Sequence, residues 1–489
     1  MNIREAKQEI INTVRAYLAR DARGQFVIPV EKQRPLLLMG PPGIGKTAVM
    51  EQVAQACGIN LVSYTITHHT RQSAIGLPFI VKRKYDNQEV SVTEYTMSEI
   101  IAAICERIEI SGVREGILFL DEINCVSETL SPTMLQFLQY KTFGSHRVPD
   151  GFIIVTAGNP PEYNASVRDF DVVTLDRVRR IDIEADYDAW RAYALSEDVH
   201  GAVTAYLEIH KDHFYGMKTG AEGRSFVTAR GWEDLSRLTG VYETLGIGVD
   251  EKQVCQFLQD REIARSFAAY YELWNKYRGI YDVNAILDGQ LPDDEAAGAL
   301  RRAPFDEKLS LIALLHAGLT DGFRTFTRQL DTQVQLREAL ALCMEEETDP
   351  EAIAEAVRTA AGALEETLDR QERAQMKDRE SARIARDVIG ALREGAAHAD
   401  SLREWFADRE EARMRNAEET GRKLTAAFAF LDHVFGEGQE TVLFLTRLSA
   451  AEQSLRFVTE YGNDAYDRHN RQLLLADRRQ ELVREVLAL

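Results

Sequence analysis

The sequence predicts an α/β fold: a three-layer domain with a central parallel sheet, then a helical lid and an all-helical C-terminal region. From residue 34 to about residue 184, short β-rich apolar runs alternate with helical segments, as in mostly parallel sheets. From residue 187 onward, apolar residues recur at helical spacing instead. The predicted strands cover residues 36–39, 61–66, 117–120, 153–157 and 181–183.

A chain of 489 residues is too long for one ordinary domain, and we expect three. Residues 1–185 form the predicted α/β core, with an insert at about residues 70–97 that contains a hairpin. Residues 186–289 form the predicted helical lid, and a polar linker at 288–295 leads to a helical accessory domain at 290–489. The Ala-, Glu- and Arg-rich stretch from residue 350 to about 415 predicts long solvated helices, with a projecting helical hairpin as one arrangement.

The segment GPPGIGKT follows the first predicted strand and precedes a helical pattern. A Gly-rich turn at a helix N-terminus directs several backbone N–H groups at anionic phosphates. The lysine of such a loop reaches the β- and γ-phosphates, and the hydroxyl that follows it can hold Mg²⁺. We therefore predict ATP binding by Gly40, Pro41, Pro42, Gly43, Ile44, Gly45, Lys46, Thr47 and Ala48.

Polar side chains follow two further predicted strands. The apolar run at 117–120 ends in Asp121 and Glu122, about 75 residues after the phosphate loop, as one sheet with an insert requires. We expect Asp121 and Thr47 to hold Mg²⁺, and Glu122 to orient and polarise the attacking water. The next strand ends at Asn159-Pro160, which aims Asn159 at the γ-phosphate while the proline stops the strand.

GPPGIGKT, LFLDEIN and TAGNPPEYN, in this order and spacing, resemble the Walker A, Walker B and sensor 1 motifs of an AAA+ ATPase. DEIN followed by LSPTMLQFLQ resembles the MoxR group in particular. The resemblance covers roughly residues 5 to 290. It implies a ring oligomer, expected to be a hexamer, with a chaperone-like role in which ATP hydrolysis remodels a protein client. It also implies a separate partner that contains a von Willebrand factor A domain.

The resemblance also implies roles for individual side chains. Arg177, in Leu-Asp-Arg-Val, matches the arginine finger that acts on the neighbouring subunit's nucleotide, although Arg179 and Arg180 stay open as alternatives. Arg230, in Val-Thr-Ala-Arg, is the expected sensor 2 residue on the γ-phosphate. A polar residue on the second strand restrains the catalytic glutamate in related ATPases. Three residues could do so here, namely Ser63, Thr65 and Thr67.

The composition of the chain indicates which binding partners are disfavoured. The formal net charge of −20 repels a phosphate backbone, so nucleic acid is a disfavoured partner, although a ring with a basic pore could still thread one. No apolar run approaches the roughly 20 residues of a membrane span, and the first ten residues lack a signal-peptide core. We therefore expect a cytoplasmic protein without a membrane partner. The five cysteines lack CxxC spacing, so no disulfide framework or zinc knuckle is indicated.

Two other functions remain as alternatives to ATP-driven remodelling of a protein. The first is a nucleic-acid-directed AAA+ motor, which shares the same inserts and is disfavoured by the acidic charge. The second is a scaffold whose ATP site switches assembly without hydrolysis. The presence of Lys46, Asp121, Glu122 and Asn159 disfavours that scaffold, because each residue type serves turnover.

Overall fold

The computed structural model describes residues 1–68, 76–85, 88–143, 146–163, 170–197, 199–220, 223–346, 349–436 and 438–473. Contacts between Cα atoms divide the chain into two compact units. The first contains Met1–Asp186 with Glu365–Ala382, and the second contains Tyr187–Leu364 with Arg383–Leu489. Within the described ranges, every helix is too short or too polar to cross a bilayer.

The first unit combines a parallel sheet, two hairpins and surrounding helices. Its strands are β1 Leu36–Met39, β2 Asn60–Thr65, β3 Pro78–Tyr85, β4 Gln88–Tyr95, β5 Gly116–Asp121, β6 Thr142–Phe143, β7 His146–Arg147, β8 Phe152–Gly158 and β9 Arg179–Asp182. Its helices before residue 186 are α1 Ile3–Leu18, α2 Lys46–Cys57, α3 Glu99–Ser111, α4 Ser131–Tyr140 and α5 Val172–Leu175.

The five strands predicted from the sequence form one sheet, in the order β2-β5-β8-β1-β9. All four neighbouring pairs are parallel. The three central strands consist almost entirely of buried residues, as expected for a sheet covered on both faces. Leu118, Leu120 and Ile154 belong to a core cluster that also contains Ile104 of α3 and Phe137 of α4. The predicted α/β class is therefore confirmed, and the carboxyl ends of β5, β8 and β1 lie side by side.

The predicted insert contains an antiparallel hairpin of β3 and β4, in which Pro78 pairs with Tyr95 and Tyr85 pairs with Gln88. Residues 69–75, where the insert begins, and residues 86–87, between the two strands, lie outside the described residues. A second short hairpin pairs β6 with β7, and residues 144–145 between these strands lie outside the described residues.

The second unit is mainly helical. Its helices are α6 Tyr187–Ser196, α7 Gly201–Ile209, α8 Ala229–Leu245, α9 Glu251–Phe257, α10 Arg261–Ile280, α11 Val283–Leu287, α12 Asp294–Arg302, α13 Phe305–Glu346, α16 Leu402–Phe435, α17 Gln439–Ala450 and α18 Glu452–Glu460. Two further helices, α14 Pro350–Arg373 and α15 Arg379–Gly395, contribute residues to both units. This unit also contains one antiparallel hairpin that the sequence did not predict, in which β10 Gly216–Gly220 pairs with β11 Gly223–Val227.

One hydrophobic core runs through the second unit. It joins Leu287 of α11 and Leu300 of α12 to Leu315 of α13 and Phe428 of α16. A Cβ atom on Gly318 would lie 2.7 Å from Leu287 Cδ1, so these helices approach closely. This core continues across residue 290, where a domain boundary was expected, because α13 packs against helices on both sides of that point. Phe267 and Trp274 of α10 are also buried.

A separate cluster stabilises the helices after α13. Helix α14 begins at Pro350, and its first turn is capped by Asp349, whose carboxylate accepts from Ala352 N at 3.2 Å. Val357 of α14 and Val388 of α15 are buried in a cluster that also contains Leu336 of α13. The hairpin of α14 and α15 therefore buries an apolar stripe, while the remaining positions of both helices are largely exposed.

Charged side chains are buried inside the second unit. Arg447 of α17 is 2% exposed and donates to Glu208 Oε2 at 2.8 Å and to Thr204 Oγ1 at 2.7 Å, both on α7. Arg191 of α6 donates to the other oxygen of the same carboxylate at 2.9 Å. Burying a charge is costly unless it is paired, so this arrangement stabilises one particular packing of α6, α7 and α17.

His316 of α13 should make stability depend on pH. Burial, with Arg447 and Arg191 nearby, lowers the pKa of His316 to about 3. Between this value and the pKa near 6.5 of an unfolded histidine, only the unfolded chain gains the proton, so stability falls as pH falls. Lowering the pH from 7 to 5 should reduce the free energy of unfolding by about 2 kcal/mol through this residue alone.

Chemical denaturation of the full chain at both pH values measures this effect. His316→Gln should flatten the pH dependence, whereas the control His398→Gln removes an exposed histidine and should leave the dependence unchanged. Equal pH dependence in the wild type and His316→Gln would contradict the assignment.

Candidate functional site

The candidate site lies where three neighbouring strands of the first unit end. The phosphate loop follows β1, Asp121 is the last residue of β5, and Asn159 follows β8 directly. Because β8 pairs with both β5 and β1, these three chain segments are adjacent at the carboxyl edge of the sheet. Ligands bind at this edge in open α/β sheets.

Backbone geometry of the loop requires glycine. Gly43 and Gly45 have φ angles of 73° and 93°, a region that L side chains rarely adopt. A Cβ atom on Gly40 would lie 2.7 Å from Ile183 O, so a side chain there would collide with the chain after β9. Helix α2 begins directly after Gly45, and its free N–H groups therefore face the loop.

Lys46 connects the loop with Asn159. Its ammonium group donates to Gly40 O at 2.7 Å, to Pro41 O at 2.9 Å and to Asn159 Oδ1 at 2.9 Å. The residue is only 8% exposed. A phosphate would offer this ammonium a charge-assisted partner, which is stronger than a neutral carbonyl.

Oxygen ligands for a divalent cation lie beside Lys46. Thr47 Oγ1 donates to Asp121 Oδ2 at 3.1 Å, and the other carboxylate oxygen accepts from Glu122 N at 2.9 Å. A hydroxyl and a carboxylate are the hard ligands that Mg²⁺ prefers in nucleotide sites. The donor set at Thr47 and Asp121 therefore fits the expected metal.

Glu122 is held from the neighbouring strand. Its backbone is left-handed, with φ 57° and ψ 36°, an uncommon conformation for a residue other than glycine. Thr67 Oγ1, in the turn after β2, donates to Glu122 Oε2 at 3.1 Å. Of the three residues considered for this restraint, Thr67 is the one bonded to the Glu122 carboxylate.

Sequence reasoning missed Asn124, which supports Asn159. Its side-chain amide is 4% exposed and donates to Asn159 O at 2.8 Å. A Cβ atom on Gly158 would lie 2.6 Å from Asn124 Oδ1, so the last residue of β8 must be small. The signal was present as the asparagine of LFLDEIN, but only the fold shows that β5 and β8 are adjacent.

The three arginines around β9 differ in their partners. Arg179 donates to Thr13 Oγ1 at 2.9 Å and pairs with Glu9, and Arg180 donates to Asp182 at 2.8 Å. Arg177 is exposed in the turn after α5, and its guanidinium forms no hydrogen bond or ion pair with any residue that the structure describes. Arg177 therefore differs from its two neighbours, whose guanidinium groups are paired with described residues.

Arg230 belongs to the second unit. It lies in the first turn of α8, where Thr228 Oγ1 caps the helix by accepting from Gly231 N at 3.2 Å. The side chain is exposed. Its expected role as sensor 2 stays a prediction.

Residues 35–178 match the family model of the AAA domain of the dynein-related subfamily. The match contains the phosphate loop, Asp121, Glu122, Asn159 and Arg177. No curated protein matches this chain. Together with the parallel sheet, the match identifies an AAA+ α/β fold and supports a general ATPase function with nucleotide binding.

Asn124 offers a test of how the site is positioned. Asn124→Leu keeps the side-chain size but removes the donor to Asn159 O, so Asn159 should lose its fixed position. We expect ATP turnover to fall at least tenfold with little change in nucleotide affinity. Loss of the buried hydrogen bond should cost about 1–3 kcal/mol of stability.

The matched control is Asn60→Leu. Asn60 is also fully buried and donates to Val113 O at 2.7 Å, but it lies at the opposite end of the sheet. Asn60→Leu should lower the free energy of unfolding by a similar amount while ATP turnover is retained. Equal loss of turnover in both variants would mean that Asn124 acts only through stability.

Proposed function

We propose that this chain is an ATP hydrolase of the MoxR type, which assembles as a homo-oligomeric ring and remodels a protein client. The observation that carries the proposal is the contact of Lys46 with Asn159, beside the Thr47 and Asp121 oxygens. It brings the Lys46 ammonium, the Asn159 amide and the Thr47 and Asp121 oxygens to one edge of the sheet, which supports phosphate and metal binding there. Phosphoryl transfer depends mainly on such positioning and charge stabilisation.

Each residue has a separate role in the proposed reaction. Lys46 and the N–H groups at the start of α2 bind the β- and γ-phosphates. Thr47 and Asp121 hold Mg²⁺, which neutralises charge on the phosphate oxygens when bound. Glu122 orients the attacking water, and Asn159 contacts both this water and the γ-phosphate. The hydrogen bond from Thr67 restrains the Glu122 carboxylate. Because Thr67 directly precedes the insert, breaking this bond would couple movement of the insert to ATP turnover.

Ring assembly is supported by the exposed Arg177. An arginine finger must reach the nucleotide of another subunit, so its guanidinium has to be available at the surface. The ring is expected to be a hexamer, as the MoxR resemblance implies. Sensing of ATP by Arg230 on the helical lid belongs to the same proposal.

The proposal also includes a client and a partner protein. A separate protein with a von Willebrand factor A domain is the expected partner, in a cytoplasmic, chaperone-like role. The main alternative is a nucleic-acid-directed motor, which the net charge of −20 disfavours. Stimulation of ATP turnover by DNA at physiological salt would favour that alternative. An ATP-switched scaffold would show binding without turnover.

Glu122→Gln should separate binding from hydrolysis. The amide keeps the shape of the carboxylate but cannot polarise water, so single-turnover hydrolysis should nearly stop while affinity for Mg²⁺-ATP is retained. Lys46→Ala should instead weaken binding itself, because it removes a cation from the phosphates. Near-normal turnover in Glu122→Gln would refute the assignment, and wild-type binding without turnover would favour the scaffold.

Arg177 should act across the subunit interface. Arg177→Ala should lower turnover by ~10³-fold or more, since fingers contribute ~10³–10⁵ in well-studied cases. Mixing Arg177→Ala with Lys46→Ala subunits should partly restore hydrolysis, because some interfaces then join an intact loop to an intact finger. Arg180→Ala is compared in parallel, since Arg180 pairs with Asp182 of its own chain, and loss of turnover in Arg180→Ala instead would move the finger role to Arg180. A lack of recovery in confirmed mixed rings would argue against action in trans.

A further inference from the structure

A cluster of possible metal ligands lies in the second unit, outside the nucleotide site. His210, Asp212 and His213 each offer one ligand atom, and the three atoms lie within 4.8 Å of one another. The spacing follows from the backbone, because His210 ends α7 and the next three residues form a 3₁₀ turn. His213 N donates to His210 O at 3.0 Å, which brings both imidazoles to the same side.

The two rings are arranged in parallel. Their centroids are 5.0 Å apart with an interplanar angle of 11°. The His210 ring also packs against Tyr206, with centroids 4.8 Å apart. No ring nitrogen of His210 forms a hydrogen bond with the residues that the structure describes. His210 therefore offers a ring nitrogen that the fold has not already used.

Hydrogen bonds with two aromatic residues hold His213 in position. The hydroxyl of the fully buried Tyr206 is hydrogen bonded to His213 Nδ1 at 2.7 Å, and the other ring nitrogen lies 3.8 Å from Asp212 Oδ2. Trp232 Nε1 donates to His213 O at 3.2 Å and so holds the backbone of the turn. Metal-binding histidines almost always have their second ring nitrogen hydrogen bonded in this way.

We propose that His210, Asp212 and His213 form a binding site for a divalent transition metal, with Zn²⁺ as the natural candidate. Two imidazoles and a carboxylate suit Zn²⁺ and its neighbours, whereas Mg²⁺ prefers oxygen ligands. Tetrahedral Zn²⁺ would draw the ligand atoms to roughly 3.3 Å from one another, given bonds of about 2.0–2.2 Å. The Asp212 side chain is 83% exposed and can rotate to close this gap. Bound metal would join the end of α7 to the turn that precedes β10.

The test is a metal titration of the full chain after treatment with a chelator. Excess Mg²⁺ is present throughout, so that it occupies the expected magnesium site at Thr47 and Asp121. Co²⁺ reports ligand type through its visible absorption, and competition with Zn²⁺ gives the affinity. We expect one equivalent bound through nitrogen and oxygen ligands. A strong sulfur-to-cobalt band would instead indicate the cysteines and would refute the site.

Three variants locate the ion. His210→Gln and Asp212→Asn should each weaken binding by ~100-fold or more, because each removes a direct ligand, and Tyr206→Phe should weaken it 10–100-fold. Asp188→Asn is the matched control. Asp188 is 79% exposed and pairs with Lys211 at 3.3 Å, so this substitution removes one negative charge beside the cluster without removing a proposed ligand.

Zn²⁺ should also raise the unfolding midpoint of the wild type and of Asp188→Asn, but not of the ligand variants, since a ligand of the folded state stabilises it. If His210→Gln does not fold, the exposed Asp212→Asn variant decides the question. The proposal is overturned if the wild type binds no metal, if all variants bind equally, or if Asp188→Asn loses affinity as much as Asp212→Asn.

Discussion

The parallel pairing of β8 with β5 and β1 is the constraint on which the candidate site depends. It places Asp121, Asn159 and the phosphate loop at one edge, although they are far apart in the chain. Lys46 then needs only to reach across one strand spacing to contact Asn159 Oδ1. Thr67, in the turn after β2, and Asn124, in the turn after β5, add hydrogen bonds to Glu122 and Asn159, so the polar groups are held in turns at the strand ends.

The second unit depends on a different kind of interaction. Its main apolar core joins α11, α12 and α13 to α16, α17 and α18, and the buried Arg447 specifies how α17 meets α7. Removing one partner of a buried ion pair leaves an uncompensated charge, which destabilises much more than losing an exposed pair. The helices on both sides of residue 290 therefore form one cooperative body, and a chain cut there would expose apolar surface.

The strands and the phosphate loop could be predicted because the information is local. An apolar run of four to six residues, bounded by glycine or by Asp-Glu, has few other interpretations. Asn124 and the choice of Thr67 could not be predicted, since both depend on which strands are neighbours. The missed hairpin β10–β11 is short and carries glycine near its turn, and it lacks the alternation of a clear strand.

The boundary expected at residue 290 stays a prediction, although helices on both sides of it share one core. A polar segment between two helical patterns is typical of a linker, and residues 288–293 do form a connection between α11 and α12. However, polarity of a connection says nothing about whether the helices on either side share a core. That information lies in pairs of buried residues far apart in sequence, such as Leu287 and Gly318.

The left-handed backbone of Glu122 creates a conflict at a single residue, because the backbone conformation favours glycine whereas the proposed chemistry needs a carboxylate. Glycine adopts φ near 57° without the cost of roughly 1–2 kcal/mol that a residue with a Cβ incurs. A chain selected for thermal robustness alone would therefore drift towards glycine here and lose its carboxylate. Stabilisation campaigns that score only folding energy should leave this position fixed, because the strain accompanies the position of the carboxylate that we propose to orient water.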